Sequence, residues 1–254
     1  MSDAILIEMP NKAPHVQVIR LNRPEKKNAI TRAMYASMTQ ALNRANADPS
    51  VHVVALLGSE GCFSAGNDMS DFLAFALGGA LGTEVLDFLN ALANFEKPLI
   101  SGVDGLAIGI GTTMHLHCDL TLASERSLFR TPFVDLALVP EAASSLIAPR
   151  LMGHQRAFAL LAAGEALTAE QARQEGLIWR VTKSETLESE TLVMAVKLAA
   201  KPPEALRIAR RLIRGPREDV MTRISEEASH FERQLRSAEA RAAFEAFTRP
   251  SANG

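Results

Sequence analysis

In the stretch FRTPFVDLALVPEAASSLIAP, residues 129–149, one carboxylate, Glu141, ends an apolar run and is followed by the small residues Ala142, Ala143, Ser144 and Ser145. A carboxylate set among apolar neighbours such as Leu138, Val139 and Leu146 is desolvated. Desolvation raises its pKa toward neutrality and suits it to move a proton at working pH. The same letters also read as a helix start, because Pro140 followed by an acid in the first turn favours a helix N-terminus.

Two glycine-rich stretches could serve such a base. GLAIGIG, residues 105–111, follows a strand pattern and opens a helical one. It reads either as backbone N–H groups aimed at developing negative charge or as a tight turn that only Gly fits. Its glycines are spaced four and two apart, which is not the dinucleotide pattern, and no Gly-Lys-Ser/Thr follows to make a Walker loop. CFSAGNDM, residues 62–69, carries Ser64, Ala65 and Gly66, small enough for a ligand to approach the backbone. Its plainer reading is a loop in which Asp68 caps a helix.

Other chemistry-bearing residues point less far. His115 and His117 stand two apart and would not share a helix face, which argues against a metal pair. Asp104, Asp119 and Asp135 border strand or turn patterns and read as capping groups. No G-x-S-x-G elbow supports a serine triad. Cys62 has no evident base nearby, and neither it nor Cys118 has metal-type spacing, so a reducing compartment is the simple reading. The basic run RIARRLIRGPR, residues 207–217, reads as an amphipathic helix with Ile208, Leu212 and Ile213 toward the core and a solvated basic face.

The elements that must position these residues alternate. AILIEM and HVQVIRLN read as a hairpin, and Thr31 caps a helix to about Ala47 with Met34, Met38, Leu42 and Ala45 on one face. VHVVALLG is apolar on both faces, like a buried parallel strand, and SEGCFSAGNDMSDF follows as a loop. A helix is predicted from about Thr83 to Asn94, then strands in KPLISGVDG, DLTLAS and SLFR, then a nearly all-helical pattern from Glu141 onward. This alternation predicts an α/β fold with parallel pairing. With 254 residues, 47% hydrophobic and 22% charged, the chain can bury a large core without staples. A net charge of −2 gives no reason to expect nucleic acid or an anionic membrane as partner. No apolar run reaches membrane-spanning length, the N-terminus is not a signal peptide, and the C-terminus is not a peroxisomal tail, so a cytoplasmic protein is expected.

NRPEKKNAIT, GCFSAGNDM, VDGLAIGIGTTMHLHCDLTLAS and TPFVDLALVPEAASS stand in order over roughly residues 5–185, and this set resembles the enoyl-CoA hydratase/isomerase (crotonase) superfamily. The resemblance implies a spiral of ββα units over residues 1–195 and a helical trimerisation region over 196–254. It implies an acyl-CoA thioester substrate, as in fatty-acid β-oxidation, with no cofactor beyond the CoA on the substrate. It implies an oxyanion hole made by the backbone N–H groups of Asn67 and Ile110. Lys26, Lys27, Ala29, Ala65, Gly66, Asp68 and Gly109 would lie along CoA, and Phe72, Phe75, Leu86, Phe133 and Leu138 would line the acyl pocket. A homotrimer, or a dimer of trimers, is the expected assembly.

The carboxylates choose among the family's reactions. Hydratases of this family use two glutamates, and the corresponding positions here are Thr113 and Phe133. Hydration needs a base for water and an acid for the α carbon, so hydratase activity is not expected. VPEAASS resembles instead the Δ3,Δ2-enoyl-CoA isomerase branch, in which one glutamate carries a proton from C2 to C4, and Glu141 takes that position. Two rivals keep the fold: a thioester hydrolase or related enolate chemistry using Glu141, and a non-catalytic member that binds CoA or RNA.

Overall fold

A computed structural model of the chain describes residues 3–71 and 82–248. Phe72 and Phe75 lie outside the described residues. Strands β1 (Ile5–Glu8) and β2 (Val16–Leu21) form the predicted antiparallel hairpin, with Ile5 opposite Leu21. Helix α1 (Arg32–Ala47) starts where the Thr31 side chain accepts from the Met34 amide at 3.3 Å, and it buries Met34, Met38, Leu42 and Ala45. Strand β3 (Val53–Leu57) is buried throughout. After it come β4 (Cys62–Ser64), α2 (Glu84–Asn94), β5 (Leu99–Val103), β6 (Leu106–Ile108) and the single turn α3 (Ile110–Thr113), which tightens into a 3₁₀ turn over Met114–His117. Then follow β7 (Leu120–Ser124), β8 (Leu128–Arg130), α4 (Ser144–Met152), α5 (His154–Leu161), β9 (Leu167–Thr168), α6 (Ala169–Gln174) and β10 (Arg180–Thr182). The chain closes on α7 (Leu187–Ala199), α8 (Pro203–Arg214), α9 (Arg217–Leu235) and α10 (Ala238–Thr248).

The strands make two sheets. One has the order β1-β2-β3-β5-β7-β10 and the other β4-β6-β8-β9, each parallel except for β1–β2 and β8–β9. From β3 to β8 the chain gives one strand to each sheet in turn, so every circuit adds a layer to a spiral. The large sheet is covered on both sides. Val54 and Leu56 point into the main core with Phe63, Phe88 and Phe129, while Val53, Ala55 and Leu57 face Ala195 and Ala199 of α7. Burial on both faces explains why β3 reads as an unbroken apolar run. The junction expected between residues 195 and 196 therefore falls inside α7, a helix that packs on the sheet.

Four readings of the sequence are corrected. The segment after β3, read as loop throughout, contains β4, and the C-terminal region, read as helical, contains β9 and β10. These strands are two or three residues long, too short for periodicity to register, and are made by pairing with distant strands. Glu141 is not in the first turn of a helix: α4 begins at Ser144, after Ala142 (φ 61°) and Ala143 (φ 54°). In α8, Leu212 and Ile213 are exposed and it is Arg210 that is buried. Arg210 donates to Asp119 at 2.7 Å and to the Phe95 carbonyl at 2.5 Å, and Arg214 reaches the other Asp119 oxygen at 2.9 Å. A carboxylate at the foot of β7 needs cationic partners, and this outweighs the apolar pattern of the helix. Among the described residues no helix is long and apolar enough to cross a membrane, and no group of three or more His, Cys, Asp or Glu could hold a metal ion.

Candidate active site

Parallel pairing of β4 with β6 sets Cys62 opposite Leu106 and Ser64 opposite Ala107, so both strands end at the same edge. Asn67 follows β4 by three residues and Ile110 follows β6 by two. The turns that carry them are in close contact. Gly66 has φ 92°, and a Cβ there would stand 2.9 Å from the Ile108 carbonyl oxygen; one on Gly111 would stand 2.9 Å from the Ser64 carbonyl oxygen. Glycine is required at 66 for both reasons.

Among the described residues neither amide has a backbone partner. Asn67 bridges Ile30 in parallel register, with Ile30 N–H donating to the Gly66 carbonyl at 2.8 Å and Asp68 N–H to the Ile30 carbonyl at 2.9 Å. That pairing uses the groups on either side of Asn67 and turns its own N–H away from Ile30. Ile110 is the first residue of α3, behind Gly109 (φ 57°), and a first-turn N–H has no intrahelical acceptor. The Asn67 side chain is itself held, its Oδ1 accepting from the Tyr35 hydroxyl at 2.6 Å.

Glu141 is buried, and desolvation raises its pKa to about 8. The negative charge of Glu227 pushes in the same direction, while a hydrogen bond from the Thr113 hydroxyl to Oε1 opposes both. Oε2 has no hydrogen-bond partner among the described residues. The loop after Glu141 is fixed from two sides. Neutral His117, its pKa lowered to about 4 by burial, donates from Nε2 to the Ala142 carbonyl at 2.8 Å. Glu227 of α9 accepts from the amides of Ala143 at 2.6 Å and Ser145 at 3.0 Å. Asn67 and Glu141 line one cavity of 380 Å³ with Leu86 and Leu89 of α2 and Ile224, Ala228 and Leu235 of α9. Glu232 also lines it but pairs with Arg236 at 3.0 Å.

The predicted residues divide. Glu141, Asn67 and Leu86 meet at this cavity, and Ile110 joins them through Thr113, one turn further along α3. Phe133 and Leu138, expected in the acyl pocket, do not line it. They flank a 3₁₀ turn closed by the Leu138 amide on the Phe133 carbonyl at 2.8 Å, and their side chains are buried in the main core. The loop of Lys26, Lys27 and Ala29 docks against the turn of Ala65, Gly66 and Asp68: Ala65 N–H donates to the Lys27 carbonyl at 2.9 Å, and Arg23 pairs with Asp68 at 2.6 Å. Both lysine side chains are exposed. Asp68 also accepts from the Ser70 amide at 3.0 Å, as its capping reading predicted. Asp104 accepts from the Gly61 amide at 2.6 Å and Asp135 pairs with Arg130, both structural roles. Cys62 is buried and its thiol pKa is raised by desolvation, which makes it a poor nucleophile.

Three contacts at the site are absent from the sequence reading: the Thr113 hydroxyl on Glu141, Tyr35 on Asn67, and Glu227 on the loop after Glu141. Thr113 was noticed for the glutamate it is not, and its hydroxyl was the available signal. Tyr35 and Glu227 lie in helices 32 and more than 80 residues away in sequence from their partners, with no local pattern to join them.

A two-sheet ββα spiral that brings the Asn67 turn and a buried carboxylate to one cavity defines the class of protein. The chain belongs to the enoyl-CoA hydratase/isomerase family, whose model matches residues 11–250. It is similar to enoyl-CoA delta isomerase 2 of Rattus norvegicus, 38% identical over 215 residues that cover 82% of this chain and 54% of that protein. The matched part of the chain thus spans about half the length of that relative. It is 32% identical over 239 residues to 1,2-epoxyphenylacetyl-CoA isomerase of Escherichia coli K12, covering 91% of each. Among solved structures, OdaA of Pseudomonas aeruginosa superposes with a TM-score of 0.92 at 39% identity, over 98% of this chain and 100% of that one.

Proposed function

We propose that the protein is a Δ3,Δ2-enoyl-CoA isomerase with Glu141 as its one proton carrier. Glu141 takes a proton from C2 of a 3-enoyl-CoA, and the electron pair moves onto the thioester oxygen. The N–H groups of Asn67 and Ile110 receive that enolate oxygen. Protonated Glu141 then returns the proton to C4, and the double bond comes to rest between C2 and C3. One such backbone donor typically contributes about 2.7–4 kcal/mol to lowering the barrier. A pKa raised to about 8 brings the base close to working pH, where proton transfer is most effective.

The observation that carries this reading is the single buried carboxylate at the cavity, with threonine and phenylalanine where a hydratase has its glutamates. The similarity to delta isomerases supports it. The Lys26–Ala29 loop and the Ala65–Asp68 turn, docked together beside Asn67, are the surface we assign to CoA. Leu212 and Ile213, exposed on α8, are the apolar surface that a trimer would cover. The reading is tested by offering 3-trans-hexenoyl-CoA and watching for the conjugated 2-enoyl thioester. A thioester hydrolase would release free CoA instead.

A further inference from the structure

Ala142 and Ala143 are consecutive non-glycine residues in the left-handed region, a conformation that costs roughly 1–2 kcal/mol per residue. Such backbone persists only where its surroundings hold it. Each alanine is tied by one buried side chain from another part of the chain: His117 takes the Ala142 carbonyl and Glu227 takes the Ala143 amide. Glu227 does more, because its second oxygen accepts from both the amide and, at 2.5 Å, the hydroxyl of Ser145. Both oxygens serve as acceptors, the pattern of an ionised carboxylate. Arg223, one turn earlier on α9, donates to the Ser145 hydroxyl at 3.1 Å and pairs with Glu226.

We propose that Glu227 is a positioning residue for catalysis: from α9 it fixes the left-handed loop that presents Glu141 and sets its own carboxylate against that loop. The proposal rests on Glu141 being the base. Hydrogen bonds from two amides and a hydroxyl to one buried carboxylate are more than the start of a nine-residue helix needs, and they fall on the residues immediately after Glu141. The groups facing the pair are few. Thr113, Tyr35, His117 and, lining the same cavity, Glu232 stand on the Glu141 side; Arg223, Glu226 and His230 stand on the Glu227 side, around a small cavity behind the loop. Of the charged groups, Glu227 is the one whose charge favours protonated Glu141.

The test uses the whole chain with Glu227→Gln, Ser145→Ala and Glu141→Gln. Gln keeps the shape and one acceptor oxygen but removes the charge; Ser145→Ala removes one bond and keeps the charge. Two readouts are taken across pH: turnover of 3-trans-hexenoyl-CoA, and the infrared carboxyl band of Glu141, assigned by its loss in Glu141→Gln. For Glu227→Gln we expect kcat to fall about tenfold or more with KM unchanged, the scale of losing a hydrogen bond to a charged group. The acid limb and the infrared midpoint should both move to lower pH. Ser145→Ala should lower kcat with the limb in place. A folded Glu227→Gln variant whose limb and infrared midpoint stay put overturns the proposal. If that variant does not fold, unchanged kcat in Ser145→Ala overturns it. A wild type that conjugates nothing sinks the isomerase reading, while the infrared midpoint still decides the influence of Glu227 on Glu141.

Discussion

The Thr113 hydroxyl donates to Oε1 of Glu141 and leaves Oε2 as the carboxylate oxygen without a partner among the described residues. The bond favours the charged form of a base whose burial favours the neutral one. Thr113→Val keeps the volume and removes the donor. The Glu141 pKa should then rise further, so the acid limb of kcat/KM should move to higher pH, and kcat near neutrality should fall about tenfold. A pH–rate profile checks this. The shift has the opposite sign to that expected for Glu227→Gln.

The buried base also costs stability. Its pKa is about 8 in the folded chain, against 4.5 for an ordinary glutamate. Between those values the native state binds more protons than the unfolded one, so stability falls as pH rises through that window and the loss is complete above the folded pKa. Glu141→Gln removes this term. Its gain over wild type in urea unfolding should be small near the unfolded pKa and reach roughly 5 kcal/mol above the folded pKa, since one unit of pKa is worth about 1.4 kcal/mol. An equal difference at both ends would show that Glu141 titrates normally.

Gly66→Ala tests the junction of the two amide-bearing turns. A methyl there meets the Ile108 carbonyl oxygen at 2.9 Å and must adopt φ 92°, so it should push the Asn67 turn away from the Ile110 turn. Misplacing one oxyanion donor should lower kcat by about 10²-fold, with circular dichroism unchanged. Unaltered kcat in the folded variant would place the oxyanion elsewhere.

Much of this was legible before any coordinates. The hairpin, α1 with its Thr31 cap, β3 and α2 carry strong local patterns, and local pattern survives folding. Glu141 and Asn67 are singled out by short motifs in register, and Leu86 by the helical pattern after residue 83; the three line one cavity. The rest depended on distance. β4, β9 and β10 are made by their partners, and the Asp119 clamp on Arg210 overrides the amphipathic reading of α8. The family resemblance puts Phe133 and Leu138 in the pocket, but the 3₁₀ turn between them sends both into the core.

The central claim is that one carboxylate carries the proton. The most direct measurement is the absorbance of the conjugated thioester formed from 3-trans-hexenoyl-CoA by the wild type and by Glu141→Gln, with CoA affinity measured in parallel. We expect conjugation by the wild type, and loss of nearly all of it in the variant with CoA affinity and fold retained. Conjugation by Glu141→Gln at the wild-type rate would contradict the account.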